Sequence, residues 1–178
     1  PISCAELSTI TGLEEIVKTG VVSLKIEGRM KKPEYITASA AAYKAAVESI
    51  CKPGENPTKE ELESRETELA KLFYRGFTRG FILGEKGVSH PKYSSNYGAF
   101  LGKVLDISRS KGNTKLTVRL NENIQVKDGI SIFTRERMLG SAVTGIITIS
   151  GERIKNAKKG EKVGLEISSK TGRAVQRG

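Results

Sequence analysis

Apolar and polar positions along this chain follow first one period and then another. Between residues 5 and 19, Leu7, Ile10, Leu13, Ile16 and Val17 recur at three- and four-residue steps, which predicts an amphipathic helix with Gly20 as its C-terminal cap. Val21 to Glu27 is apolar and β-rich between two glycines. It predicts a strand with Val22, Leu24 and Ile26 on one face and Ser23, Lys25 and Glu27 on the other. Pro33 suits the first position of a helix, and Tyr35, Ile36, Tyr43, Val47 and Ile50 among many alanines carry that helix to residue 50. Helix, strand and helix with short connections make one turn of a β/α repeat. Such a strand cannot bury both faces alone, so its partner strands are expected upstream of residue 1.

Residues 51–58, rich in Pro and Gly, read as a linker. Thr58 with Glu61 three residues on is a capping-box pattern, and Leu62, Leu69, Leu72 and Phe73 mark the apolar side of a helix from about Lys59 to Tyr74. From Tyr97 the period becomes two. Strands are predicted at Phe100–Ser108, Lys115–Leu120, Ile130–Thr134, Ser141–Ser150, Glu152–Ile154 and Lys162–Ser168. Turn residues stand between them at Lys111-Gly112-Asn113, Lys127-Asp128-Gly129, Ser150-Gly151 and Lys159-Gly160-Glu161. Short strands at this spacing argue for a small closed antiparallel barrel, with a polar, mobile tail over 169–178.

Composition changes this picture in one respect. The chain of 178 residues carries a net charge of +10. Residues 1–96 hold 14 Lys/Arg and 13 Asp/Glu, against 16 and 7 in residues 97–178, so the excess is +1 in the first part and +9 in the second. A small domain at +9 attracts polyanions, nucleic acid being the usual one, although basic surfaces also serve solubility. Two cysteines far apart, Cys4 and Cys51, form no C-x-x-C pair and suit a reducing, cytoplasmic setting. One histidine leaves little room for a histidine-based metal site or triad. No run of about 18 apolar residues is present, so no membrane partner is expected. The chain begins at Pro1 and reads as a piece of a longer protein.

Two stretches carry candidate chemistry. The first is Ser23-Leu24-Lys25-Ile26-Glu27-Gly28-Arg29-Met30-Lys31-Lys32-Pro33. A strand-to-helix corner with convergent charges is where α/β enzymes place their sites, so Lys25, Glu27 and Arg29 are candidate catalytic or ligand-contacting residues. The alternative is that Lys25 and Glu27 form a structural ion pair at the end of a barrel. The second is Tyr74-Arg75-Gly76-Phe77-Thr78-Arg79-Gly80-Phe81. Arginines bind phosphate, which makes Arg75 and Arg79 candidates, while Phe77 and Phe81 read as core plugs. In the basic part, Lys103, Arg119, Arg135, Arg137, Lys155, Lys158 and Lys159 are placed on strands or turn tips as phosphate contacts. His90 reads as a plain loop residue.

The first stretch, through Glu34-Tyr35, resembles the signature that closes the main domain of the collagenase-like peptidase family U32. Arg75-Gly76-Phe77-Thr78 resembles that family's R-G-F-T segment, and Lys92–Gly98 followed by Gly102-Lys103-Val104 resembles its entry to a C-terminal barrel. The resemblance covers essentially the whole chain. It implies an α+β arrangement: the end of a TIM-like barrel in residues 1–52, a helix and linker in 53–96, a small antiparallel β-barrel similar to the second domain of elongation factors in 97–170, and a flexible tail in 171–178. It also implies divided functions. The family is named for peptidase activity, and several members resemble factors that hydroxylate bases of tRNA or ribosomal RNA. Some of these carry an iron–sulfur cluster on four cysteines. Alignment on Leu7 puts Ser8 where one such cysteine falls, leaving Cys4, four residues earlier, as the candidate ligand in a full-length protein. No cofactor is expected on residues 1–178 alone.

The function expected is therefore RNA hydroxylation or modification, with the basic C-terminal part holding tRNA or rRNA and with no DNA specificity evident. The competing expectation is a collagenase-like peptidase acting on a protein or peptide. Its machinery would be mostly upstream, since the chain offers no Ser–His–Asp set, no H-E-x-x-H and no paired aspartates.

Overall fold

A computed structural model describes residues 3–52, 54, 56–90, 95–110, 113–135 and 137–175. The linker positions Pro53 and Glu55, the segment 91–94, the turn residues Lys111 and Gly112, and the end of the tail lie outside the described residues. The chain mixes helix and sheet and divides into two compact units, Pro1–Ala99 and Phe100–Gly178.

In the first unit, β1 (Ser3–Cys4) pairs antiparallel with β4 (Ser89–His90), and β2 (Glu6–Leu7) pairs parallel with β3 (Phe77–Thr78). A turn of 3₁₀ helix at Ile10–Gly12 leads into α1 (Leu13–Lys18), followed by α2 (Pro33–Cys51) and α3 (Lys59–Leu72). Pro33 opens α2 after an extended Lys32. The capping box at α3 is complete: Glu61 N–H donates to the Thr58 hydroxyl at 3.2 Å, and Thr58 N–H donates to Glu61 Oε2 at 2.8 Å. Ile10, Leu13, Ala46 and Leu62 form the core, with Val17, Tyr43, Val47 and Ile50 packed on it.

Three expectations are corrected here. Residues 5–9 are not helical, because Glu6 and Leu7 bond to the strand at Phe77 and the helix proper starts only at Leu13. His90 is not a loop residue, since β4 places it opposite Ser3. Val21–Glu27 is not a strand. No described strand lies beside it, and its residues are exposed, Val22 at 99%. Alternation encodes a strand face, but a ladder exists only where a neighbour takes up the backbone N–H and C=O groups.

The second unit holds β5 (Val104–Arg109), β6 (Asn113–Arg119), β7 (Ile124–Gln125), β8 (Gly129–Phe133), β9 (Met138–Ala142), β10 (Gly145–Thr148), β11 (Arg153–Ile154), β12 (Asn156–Ala157), β13 (Lys162–Ser168) and a short α4 (Ser169–Gly172). A five-stranded antiparallel sheet runs in the order β11-β10-β13-β6-β5, and β7–β12 and β8–β9 form two separate ribbons. Among the described residues this pairing does not close into one ring, so the expected closed barrel is seen as a sheet with two ribbons. Leu116, Val118, Leu120, Ile146, Val163, Leu165 and Ile167 fill its core.

The predicted strand 141–150 is two strands, because the chain turns at Val143-Thr144, where Val143 N–H donates to the Asp128 carbonyl and Thr144 N–H to the Glu166 carbonyl. Residues 169–175 are not a loose tail. α4 occupies 169–172, Val175 is 1% exposed, and Arg109 donates to the Val175 carbonyl at 2.6 Å.

Candidate functional site

The strand-to-helix corner is shaped by a turn. Lys31 N–H donates to the Gly28 carbonyl at 3.0 Å, and Met30 sits at φ 63°, in the left-handed region that most side chains avoid. A Cβ on Gly28 would lie 2.6 Å from Ile36 Cγ1, so only glycine lets the turn lean on the first turn of α2. The corner brings its three charges together. Glu27 accepts from Arg29 at 3.0 Å and faces Lys25 at 3.8 Å, and all three are exposed. Met30 beside them is 96% exposed.

Behind the turn, Lys31 points inward and is 10% exposed. Its Nζ contacts Glu6 at 2.9 Å and lies 3.4 Å from the centre of the Phe73 ring. Glu6 also accepts from Arg75 Nε at 2.8 Å. Arg79 makes the companion grip: its two terminal nitrogens donate to the two carboxylate oxygens of Glu66 at 2.5 and 3.0 Å, and Nη1 donates also to the Ser8 carbonyl at 2.9 Å. The Ser8 hydroxyl donates to the same Glu66. The hydrogen bonds that Arg79 donates to Glu66 hold its guanidinium above its ordinary pKa. Glu85 accepts from the Arg79 backbone N–H and from the Thr78 hydroxyl, and those bonds hold its carboxyl below the usual range.

Arg75 and Arg79, read as phosphate binders, thus each engage a carboxylate that the sequence did not flag. Lys31, Glu6 and Glu66 are the residues missed. The signal for Glu66 was a charge facing the otherwise apolar side of α3. Phe81 does not plug the core. It is 76% exposed, because the chain leaves the sheet at Gly80.

Cys4 is exposed on β1, and Cys51 is exposed at the end of α2. An iron–sulfur cluster asks for four thiolates. Among the described residues no three His, Cys, Asp or Glu side chains gather, so these residues do not by themselves assemble such a ligand set.

In the second unit all seven predicted contacts, Lys103, Arg119, Arg135, Arg137, Lys155, Lys158 and Lys159, are exposed. Four of them converge on one end of the sheet. Leu120 N–H donates to the Glu161 carbonyl at 2.8 Å and Gly160 N–H to the Leu120 carbonyl at 2.7 Å, which ties the Lys158–Glu161 turn to the end of β6 at Arg119. Asn121 N–H donates to the Leu101 carbonyl at 2.8 Å, which brings in the segment of Lys103. The turn is held by Glu161 and Asn123, which accept from the backbone N–H groups of Lys158 and Lys159. Arg135 and Arg137 lie between β8 and β9, and Lys155 joins β11 to β12.

The register adds two cations. Lys162 pairs with Arg119 and Lys115 with Glu166 on the outer face of β6 and β13. A Cβ on Gly164 would lie 2.7 Å from Lys115 Cδ, so the lysine stem lies flat across the glycine. Strand alternation could have found Lys115 and Lys162, since they share a face with Arg119.

Collagenase from Porphyromonas gingivalis (strain ATCC BAA-308 / W83) is 28% identical over 95% of this chain and 41% of its own length. An uncharacterized protease of Methanocaldococcus jannaschii is 24% identical over 94% of this chain and 41% of its own. The tRNA hydroxylation protein P of Escherichia coli (strain K12) is 28% identical over 86% of this chain and 31% of its own. The chain spans less than half the length of these curated relatives. The model of peptidase family U32 matches residues 2–92, more than half of the chain, and the chain belongs to that family.

Proposed function

We propose that this chain is part of an RNA-modification protein, of the kind named for tRNA hydroxylation among its relatives, and that the basic end of the second unit holds the RNA. The observation that carries this is the contrast between the two sets of cations. Arg75, Arg79 and Lys31 are consumed by Glu6 and Glu66, whereas Lys103, Arg119, Lys158 and Lys162 are exposed at one end of a unit whose sequence carries most of the excess charge. Exposed lysines and arginines gathered in this way exchange condensed counterions for protein contacts when a polyanion docks. In this reading residues 1–52 are the closing part of a TIM-like domain, and the apolar stretch at 21–26 joins its sheet. Lys25, Glu27 and Arg29 then face the substrate. Cys4 is the chain's candidate contribution to an iron–sulfur cluster whose other ligands lie elsewhere.

The collagenase relatives favour a second reading, proteolysis, in which the same basic end binds an acidic protein segment. One pair of measurements separates the two: anisotropy of a fluorescent single-stranded RNA across a salt series, and cleavage of gelatin by the full-length protein. The RNA reading expects affinity that falls as salt rises, and no cleavage. Gelatin cleavage without salt-dependent RNA binding would replace it with the peptidase reading.

A further inference from the structure

Beside the basic end, residues of the β10–β11 hairpin and the β12–β13 segment line a shallow, open cleft of about 510 Å³. Its walls are of three kinds. Ile149, 66% exposed at the hairpin tip, and Ile154 contribute apolar lining. Thr148, Ser150 and Asn156 contribute polar lining. The Thr148 and Ser150 hydroxyls bond each other at 2.8 Å, and Thr148 also accepts from Glu152 N–H. The Asn156 backbone pairs with Gln125, while its side-chain amide has no partner among the described residues. Lys158 and Lys162 stand at the rim, and neither ammonium group meets a carboxylate among the described residues. Glu161, the one acid of the lining, accepts the Lys158 N–H at 3.0 Å and holds the turn.

We infer that this cleft receives one unpaired nucleotide of the bound RNA. The base lies against Ile149 and Ile154 with an edge toward Asn156, and the flanking phosphate meets Lys158 and Lys162. The inference rests on the RNA reading above and deepens it. The three wall types match the three parts of a nucleotide: an apolar face, a hydrogen-bonding edge and an anion. A base inside a duplex cannot reach such a cleft, because its faces are stacked and its edge is paired, so the cleft selects single-stranded over double-stranded RNA.

The test uses the whole chain with an 8-nucleotide single-stranded RNA and a 12-base-pair RNA duplex. The double variant Ile149→Ala with Asn156→Ala should weaken the single strand about tenfold, the scale of one lost base contact, and leave the duplex within about twofold. Equal loss for both RNAs, or loss for neither, overturns the cleft while leaving the RNA reading intact. If the wild-type chain binds neither RNA, the RNA reading fails and the cleft fails with it. A titration of the isotope-labelled wild-type chain with adenosine 5′-monophosphate makes the test independent of the variant's folding. Amide shifts concentrated at 148–150 and 154–158 support the cleft, and shifts elsewhere or none overturn it.

Discussion

Arg79 holds Glu66 with both terminal nitrogens, at 2.5 and 3.0 Å, and so fastens the segment after β3 to the middle of α3. Glu66 is 14% exposed and Arg79 32%. Arg79→Ala leaves a mostly buried carboxylate with only the Ser8 hydroxyl. Losing one partner of a fully buried pair costs 3–5 kcal/mol, and partial exposure reduces that here to about 2 kcal/mol. Urea unfolding should show this loss, and RNA affinity of the folded variant should not change. An unchanged midpoint with weakened RNA binding would return Arg79 to the phosphate contacts.

Glu85 gives acid stability a specific source. Its carboxyl titrates below the usual range in the folded chain because it accepts from Arg79 N–H and Thr78. A depressed folded value means that the stabilisation is fully present above the unfolded pKa and is lost as pH falls through the folded one. Glu85→Gln should therefore cost stability at neutral pH and converge on the wild type in acid. Thermal melts from pH 7 down to pH 3 would show parallel curves if the bonds contribute nothing.

Gly172 of α4 faces Thr114 of β6 so closely that a Cβ would stand 1.9 Å from the Thr114 hydroxyl oxygen. Thr114 is 1% exposed and has nowhere to move. Gly172→Ala should destabilise the second unit by about 1–3 kcal/mol through overpacking, against the usual benefit of alanine in a helix. A chemical denaturation curve no less stable than wild type would show that α4 yields instead.

The Lys25–Glu27–Arg29 cluster lies on the surface of this chain, so Glu27→Gln should change its melting free energy by less than about 1 kcal/mol. In the full-length protein the same change should lower activity at unchanged stability if the cluster faces substrate. Full activity would leave these charges with only a solvated role.

Lys158→Glu with Lys159→Glu should weaken RNA binding while the fold persists, since exposed turn substitutions cost under about 0.5 kcal/mol. Single-stranded binding with roughly four phosphate contacts gives a log–log salt slope near −3, and losing two contacts should flatten it to about −1.5. An unchanged slope would exclude the turn from the interface.

The features legible in the sequence were those set by local chemistry. The Thr58–Glu61 box, Pro33 at the start of α2 and the span of β13 needed only neighbours within a few residues. The exposure of Lys158 and Lys159 followed from the turn glycine, Gly160, that comes directly after them. Tertiary structure decided whatever needed a distant partner. Glu6-Leu7 became a strand because Phe77-Thr78 lies beside it, and Val21–Glu27 did not because no described strand does, although its pattern is the stronger of the two. Arg75 and Arg79 carry the same charge as Arg119. What separates them is burial beside Glu6 and Glu66, 69 and 13 residues away along the chain. Residue type sets what a side chain can bind. Which partner it meets depends on contacts that close only when the chain folds.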